Sequence, residues 1–261
     1  MRTILCLFFT LLAYSPAMFA QTWISLNAGG NELKGFIQTP KGGAVGTTSY
    51  HRPSFNEMEL KRDLFFDIHA GTTWKSYFAK LEYRRLSPDG AHVLDEALTT
   101  HSQFIPQGDP FHIKAVFDWY QLGIGKHVTI DSNWTFAPLV DLHWIQYEYS
   151  FFAPSARSSR AFSMTTPTLG AKIRYSFLKG SSVDVEAKSS IGLTNLELYS
   201  LVVGVNQVLD LTSKVQIMPR LALGYYQIHF KDNQFIPNEI LYKAQPNLSL
   251  GLTIVLDRPL I

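Results

Sequence analysis

The sequence predicts an all-β fold, a closed antiparallel up-and-down transmembrane β-barrel of about 12 strands, within a range of about 10–14. Three observations predict it. Apolar and polar residues alternate along most of the chain. Several alternating runs reach about ten residues, where a globular strand has about five or six and a tilted membrane-crossing strand about 9–11. Beyond residue 20, no apolar stretch approaches the length of a transmembrane helix.

Alternation is the primary signal because successive strand side chains point to opposite faces. Leu169, Ala171, Ile173, Tyr175 and Phe177 oppose Thr168, Gly170, Lys172, Arg174 and Ser176. Val183, Val185 and Ala187 oppose Asp184, Glu186 and Lys188, and Leu221 and Leu223 oppose Arg220. Leu248, Leu250, Leu252 and Ile254 form the last apolar face. Earlier, Ile113, Ala115, Phe117 and Trp119 oppose His112, Lys114 and Asp118. With the apolar face set toward lipid, the polar set His112, Lys114, Asp118, Lys172, Arg174, Asp184, Glu186, Lys188, Lys214 and Arg220 is expected to line the lumen. On this assignment Leu221→Arg should impair assembly and Arg220→Leu should be far better tolerated.

The expected strands are 22–29, 33–39, 58–70, 75–86, 91–103, 111–127, 134–149, 167–178, 182–191, 196–206, 211–226 and 246–256. If the first two are one, and the long connection at 40–57 then changes sides, the count falls toward ten. Short turns are expected at Lys179–Ser181 and Gln207–Asp210, and long polar loops at 150–166 and 227–244, on the opposite side. In the hairpin around Gly180, facing residues must sum to an even number. A sum of 360 puts Arg174 opposite Glu186 and makes Lys179–Gly180–Ser181 a three-residue loop.

The first 20 residues read as a signal peptide: Arg2, an apolar core from Ile4 to Tyr14, then Ser15, Ala17 and Ala20. Cleavage is expected after Ala20, with Ala17 as the alternative, leaving a single barrel domain over 21–261. The one cysteine, Cys6, falls within that leader, so no disulfide framework, zinc cluster or cysteine nucleophile is expected beyond it. The formal net charge is only +2, which argues against nucleic acid as a partner. The chain is rich in aromatic residues, and Trp134, Trp144, Tyr147, Tyr149, Phe151 and Phe152 are expected in girdles at membrane–water interfaces.

These diffuse features together resemble the bacterial outer-membrane β-barrel superfamily over the whole chain after the leader. The resemblance implies an outer-membrane location in a Gram-negative envelope, membrane lipid as surroundings, and recognition by the barrel-insertion machinery. The chain departs from the pattern at its end, where Pro259 and Ile261 stand in place of a terminal aromatic residue.

Three candidates for chemistry stand out. Asp141 and His143 share a face, and a carboxylate beside a histidine is half of a hydrolytic triad. His101 and Ser102 are adjacent, so on a strand they face opposite ways. The run Pro40–Thr48 is glycine-rich but lacks the ending of a phosphate loop. No cofactor or metal is expected. The leading functional expectation is a non-enzymatic envelope protein, porin-like as a narrow pore or else structural with loops that meet partners. The alternatives are a lipid-modifying hydrolase using His143 and Asp141, and a secreted soluble β-barrel or sandwich that binds a ligand.

Overall fold

The computed structural model describes residues 21–38, 54–60, 62–100, 102–235 and 237–257. The expected signal peptide, the run Pro40–Thr48, His101, Pro259 and Ile261 lie outside the described residues.

Ten strands form the wall. They are β1 (Gln21–Gln38), β2 (Arg62–Trp74), β3 (Tyr77–Leu86), β4 (Pro110–Lys126) and β5 (Trp134–Ala153), followed by β6 (Ala156–Leu178), β7 (Ser181–Ser190), β8 (Leu196–Gln207), β9 (Val215–Lys231) and β10 (Glu239–Asp257). Each pairs antiparallel with its neighbours in chain order, and β10 returns to pair with β1 from Gln21↔Asp257 to Gln38↔Glu239. The sheet is therefore closed, which leaves its wall without a free edge to aggregate. Shorter pieces decorate it. Asp89–Val93 pairs with β4, Leu98–Thr100 and Gln103–Ile105 make a small hairpin, and Val128–Thr129 and Leu209–Asp210 fold against β5 and β9.

The wall has ten strands where about twelve were expected, for two reasons. Segments 22–29 and 33–39 are one strand, β1, because Asn31 and Glu32 keep pairing with Asp63 and Arg62 of β2 and the chain never turns. A bulge in β10 absorbs the irregularity, pairing Asn31 with Asn247 and Leu33 with Ala244. Segment 91–103 adds no wall strand, since it is split between the strip on β4 and the small hairpin. The loop expected at 150–166 is also strand. β5 and β6 run on to a tight turn at Pro154–Ser155, on the order of 40 Å of strand beyond the last β6–β7 pair, Thr168↔Ser190, at about 3.3 Å per residue. Polar Arg157, Ser159 and Ser163 give the stretch a loop-like composition because they stand on the exposed outer face of β6.

The turns at Lys75–Ser76, 127–133, Lys179–Gly180 and 208–214 share one end of the barrel, and the connections at 39–61, 87–109, Pro154–Ser155, 191–195 and 232–238 share the other. We call these the turn end and the loop end. In the Gly180 hairpin the observed register sums to 358, with Lys172↔Glu186, Arg174↔Asp184 and a bulge between Ser176 and Leu178. Both cations thus face acids. The register expected from sequence kept Arg174 beside an acid but would have set Lys172 directly against Lys188.

Toward the turn end the outside is apolar on every strand: Ile24 and Leu26, Phe66 and Ile68, Leu81, Leu122 and Ile124, Val140 and Leu142, Leu169 and Ile173, Val185, Leu201 and Val203, Leu221 and Leu223, Leu250 and Leu252. Toward the loop end the alternation continues but its sense reverses. On β5 the outward series Val140, Leu142, Trp144 gives way to Gln146, Glu148, Ser150, while the inward series Asp141, His143 gives way to Ile145, Tyr147, Tyr149, Phe151. On β4 the outward series Ile124, Leu122 becomes Tyr120, Asp118, Lys114, and inward Gln121 becomes Trp119, Phe117, Ala115. The two reversals are in register, because Trp119 pairs with Ile145 and Tyr120 with Trp144. Of the six expected girdle residues, Tyr147, Tyr149 and Phe151 therefore point inward and are buried, while Trp134, Trp144 and Phe152 point outward.

This reversal has a measurable consequence. Leu221→Arg, in the apolar zone, should cost about 2–4 kcal/mol in vesicle-refolded protein unfolded with urea. Glu148→Arg, outward on the loop-end extension, should change stability by less than about 0.5 kcal/mol. Equal losses at both positions would show that the outer surface is uniform along its height.

Candidate functional site

The lumen is the one place where polar chemistry concentrates, and it is built in layers. A belt of ionised side chains crosses its middle. Five acids (Asp67, Glu82, Asp141, Asp184, Glu186) and six bases (Lys80, Arg84, Lys172, Arg174, Lys188, Arg220) belong to it. Each points inward because its strand neighbours face the apolar exterior.

The belt is an interlocked network. Lys188 lies 2.8 Å from Glu186 and 3.3 Å from Asp141. Lys80 lies 2.7 Å from Glu82 and 3.7 Å from Glu186. That last contact joins β3 to β7 across the lumen, since the two strands are not neighbours in the wall. Arg84 holds Asp67 at 2.7 Å and lies between the rings of Phe65 and Tyr226, again linking β3 to a distant strand, β9. Arg220 donates to both oxygens of Asp184, at 2.7 and 3.0 Å, and Lys172 reaches the same carboxylate at 3.3 Å. Glycine makes room for this. A Cβ on Gly204 would collide with the Arg220 guanidinium, and one on Gly123 with the Asp141 carboxylate.

Above the belt, the loop-end half of the lumen is mainly apolar, with Asn31, Asp63 and Asn247 buried along β1, β2 and β10. Phe55 packs edge-on to Tyr242, with ring centroids 6.2 Å apart, and Tyr242 meets Phe117 at 5.3 Å. Phe117 meets Tyr147 at 4.7 Å, Tyr147 meets Phe162 at 5.0 Å, and Phe162 meets Phe230 at 5.5 Å. These rings come from β10, β4, β5, β6 and β9, so the chain of contacts crosses the barrel. Leu86 at the end of β3, and Met58, Leu60, Leu94, Leu98 and Ile105 from the loops and the small hairpin, are buried in the same core. A cavity of about 400 Å³ runs through the belt to the turn end, lined by Asp67, Lys80 and Glu186 at the belt and by Trp23, Thr135, Arg174 and Gln216 toward the turns.

The expected lumen residues divide accordingly. Lys172, Arg174, Glu186, Lys188 and Arg220 line the cavity, and Asp184 is buried among them. His112, Lys114 and Asp118 face outward instead. They lie on the loop-end half of β4, where the outer face is polar and Phe111, Ile113 and Phe117 fill the core. His112 bonds Asp89, and Asp118 accepts from Tyr83. Lys214 is an exposed residue of the turn before β9 and faces no lumen. Asp67, Lys80, Glu82 and Arg84 join the residues that line the cavity, and the alternation sets all four on the polar face, opposite Leu64, Phe66 and Ile68 on β2 and Tyr77, Ala79 and Leu81 on β3.

The expected pairing of Asp141 with His143 does not form. The Trp119 indole donates to His143 Nδ1 at 2.9 Å, and an indole nitrogen can only donate. The neutral ring therefore carries its proton on Nε2, which faces the Thr168 hydroxyl at 2.9 Å. A general base needs a lone pair there, not a proton. Asp141 is committed to Gln121 and Lys188. This is a buried structural histidine, not half of a triad. Ser102 is an exposed turn residue with a positive φ of 59°.

A closed ten-stranded antiparallel barrel with an apolar outer zone and a filled lumen defines the class to which the fold belongs. No protein-family model matches the chain, and no curated protein matches it. Among solved structures it is similar to the outer membrane protease OmpT from Escherichia coli, at 10% identity over 89% of this chain and 94% of that one, with a TM-score of 0.40. It is also similar to Ail, the attachment invasion locus protein of Yersinia pestis, at 11% identity over 91% and 99% of the two chains, TM-score 0.37. The translocator domain of the autotransporter NalP from Neisseria meningitidis matches at 8% identity over 98% and 95%, TM-score 0.38. These proteins differ in role, and likeness at this level assigns none of their activities to this chain.

The belt revises one expectation. Arg220→Leu would leave the fully buried Asp184 with Lys172 as its only cation, and breaking a buried pair typically costs about 3–5 kcal/mol. We expect that loss in urea unfolding, with much of it recovered in the double variant Asp184→Leu/Arg220→Leu, which removes the orphaned carboxylate and leaves Lys172 with Glu186 at 3.9 Å. A double variant no more stable than the single one would show that the pair, not the orphaned carboxylate, holds the belt together.

Proposed function

We propose that the protein is a non-enzymatic, non-conducting barrel of the bacterial outer membrane that presents its loop end to partners outside the cell. The observation that carries this reading is the chain of aromatic contacts spanning the loop-end lumen, Phe55–Tyr242–Phe117–Tyr147–Phe162–Phe230. A solute entering at the turn end would meet first the charged belt and then this dry core. Of the two leading expectations from sequence, the filled interior favours the structural, loop-presenting role over the narrow pore.

The membrane location is supported by the outer apolar zone. Closed barrels and helices are the two architectures that satisfy every backbone group in hydrocarbon, and no helix among the described residues is long and apolar enough to span. The zone is flanked at the loop end by outward Tyr83, Tyr120 and Trp144, and at the turn end by Trp74, Tyr77, Trp134 and Tyr175, as interfacial rings should be. Short turns then belong on the periplasmic side. In this setting the barrel-insertion machinery would deliver the chain.

For the loop-presenting role, the supporting feature is the extended β5–β6 hairpin. It rises well past β7 and β8 and carries an outward surface of Gln146, Glu148, Arg157, Ser159 and Ser163. Its tip is tied to the small hairpin by Gln103, which bonds both the amide and the carbonyl of Arg157. Such a surface needs water around it, and no pore function requires it.

Purified protein reconstituted in planar bilayers should show no ion conductance above background, and should stay with vesicles after a urea or carbonate wash. A steady current from the wild-type protein would overturn the non-conducting reading. Recovery of folded protein in the wash would overturn the membrane location.

A further inference from the structure

The belt contains one more base than acid, and the surplus can be located. Lys80, Arg84, Lys172, Lys188 and Arg220 each have a carboxylate within 4 Å. Arg174 has none among the described residues, and its Nε is buried without a hydrogen-bond partner. The cause is competition. The residue across the strand pair from Arg174 is Asp184, but the two oxygens of that carboxylate are already taken by Arg220, Asn206 and Lys172.

Position makes the surplus meaningful. Arg174 pairs with Thr135 near the start of β5, and so sits on the turn-end side of Lys172. Both Arg174 and Thr135 line the 400 Å³ cavity, together with Trp23, His127 and Gln216. Burial, and after it the charges of Arg174 and Lys172, hold the His127 imidazole below its usual range. The charges of Arg174 and Lys172 thus meet at this mouth, while the acids that line the cavity, Asp67, Glu82 and Glu186, are paired with Arg84, Lys80 and Lys188.

We propose that the turn-end cavity is an oxyanion-binding site in which the Arg174 guanidinium takes a phosphate or carboxylate group. A guanidinium presents a planar fork of donors that matches such groups, and a desolvated arginine gains most by finding one. This goes beyond the non-conducting reading and does not rest on it, because the cavity reaches the turn end at Arg174 and Thr135 whether or not ions pass the aromatic core. The oxyanion could come free from the aqueous side or from a lipid headgroup.

The test uses the full folded protein in a maltoside detergent, which carries no phosphate of its own. Inorganic phosphate is the probe, read by the arginine Nε–H resonances and by the urea midpoint. A second arm replaces free phosphate with phosphatidylglycerol in otherwise zwitterionic vesicles, read by the same midpoint. We expect a saturable shift of one resonance, assigned to Arg174 by its loss in Arg174→Gln, and a phosphate-dependent rise in the midpoint. Arg174→Gln should weaken binding roughly tenfold or more, the scale of one charge-assisted hydrogen bond. Arg85→Gln, which alters an exposed arginine on the outer surface, should leave it unchanged. Should Arg174→Gln fail to fold, Arg174→Lys keeps the charge but not the fork and should bind more weakly, while the wild-type resonance is read directly. A shift with phosphate identifies a free anion as ligand. A response confined to phosphatidylglycerol identifies a headgroup. No saturable response in either arm, or a response undiminished in the Arg174 variants, would overturn the proposal.

Discussion

The pairing of β1 with β10 is the constraint on which everything else in this molecule depends. An open sheet would expose two rows of backbone donors and acceptors, and in hydrocarbon each unmet group would cost several kcal/mol. Closure satisfies them all, but it forces the residue alternation of ten strands to agree around a ring. One strand out of phase would put a polar row into the apolar zone or an apolar row into the belt. The bulge in β10, where Asn247 and Ala244 pair with Asn31 and Leu33, shows how the ring accommodates a local mismatch. β9 meets the same bulge from the other side, pairing Gly224 with Asn247 and Tyr226 with Ala244. One extra residue in one strand thus keeps both neighbours in phase.

Closure alone does not say which side of each strand is wet. Near the turn end the inside is polar and the outside apolar. Near the loop end water is outside, and apolar side chains can be buried only by turning inward. A strand that passes from one zone to the other must reverse its pattern, and the reversals on β4 and β5 fall on paired residues. The same step occurs on β9, where outward Leu221, Leu223 and Tyr225 are followed by inward Tyr226, Ile228 and Phe230. A boundary shared by non-adjacent strands is a property of the whole wall. It marks the height at which the surroundings change.

Much of this was legible in the sequence, because period two survives any tertiary context. The strands from Trp134 onward, the closed all-β architecture and the inward charges of β6 and β7 follow from it. The misplacement of His112, Lys114 and Asp118 came from assuming one sense of alternation along a strand. The reversal is visible in the run Trp119-Tyr120-Gln121-Leu122, where the apolar phase moves from odd to even positions. Strand ends were harder to read. The serines and arginines of 155–163 have loop composition, and only pairing with β5 identifies them as strand. The Gly180 register was misread because only the Arg174 contact was weighed. Lys172, two residues away, decides the matter. The role of His143 could not be read from spacing at all, because it is set by the indole of Trp119 on the neighbouring strand.

The two fillings of the lumen solve the same packing problem at different heights. Side chains at the loop end can be apolar because Phe55, Met58 and Leu60 cap them from above. Within the apolar outer zone, an inside as apolar as the outside would leave nothing to tell one face of a strand from the other. A slip by one residue would then cost little. Ionised side chains on the inner face make that slip prohibitive, because it would carry Lys172, Arg174, Asp184, Glu186 and Lys188 into the outer surface. The belt therefore contributes to the uniqueness of the fold as much as to its stability, even where the net worth of each buried pair is small. Uniqueness needs only that the charges face inward, not that they balance. That freedom permits a surplus cation, and the surplus sits at the turn-end edge of the belt, in the wall of the lumen cavity.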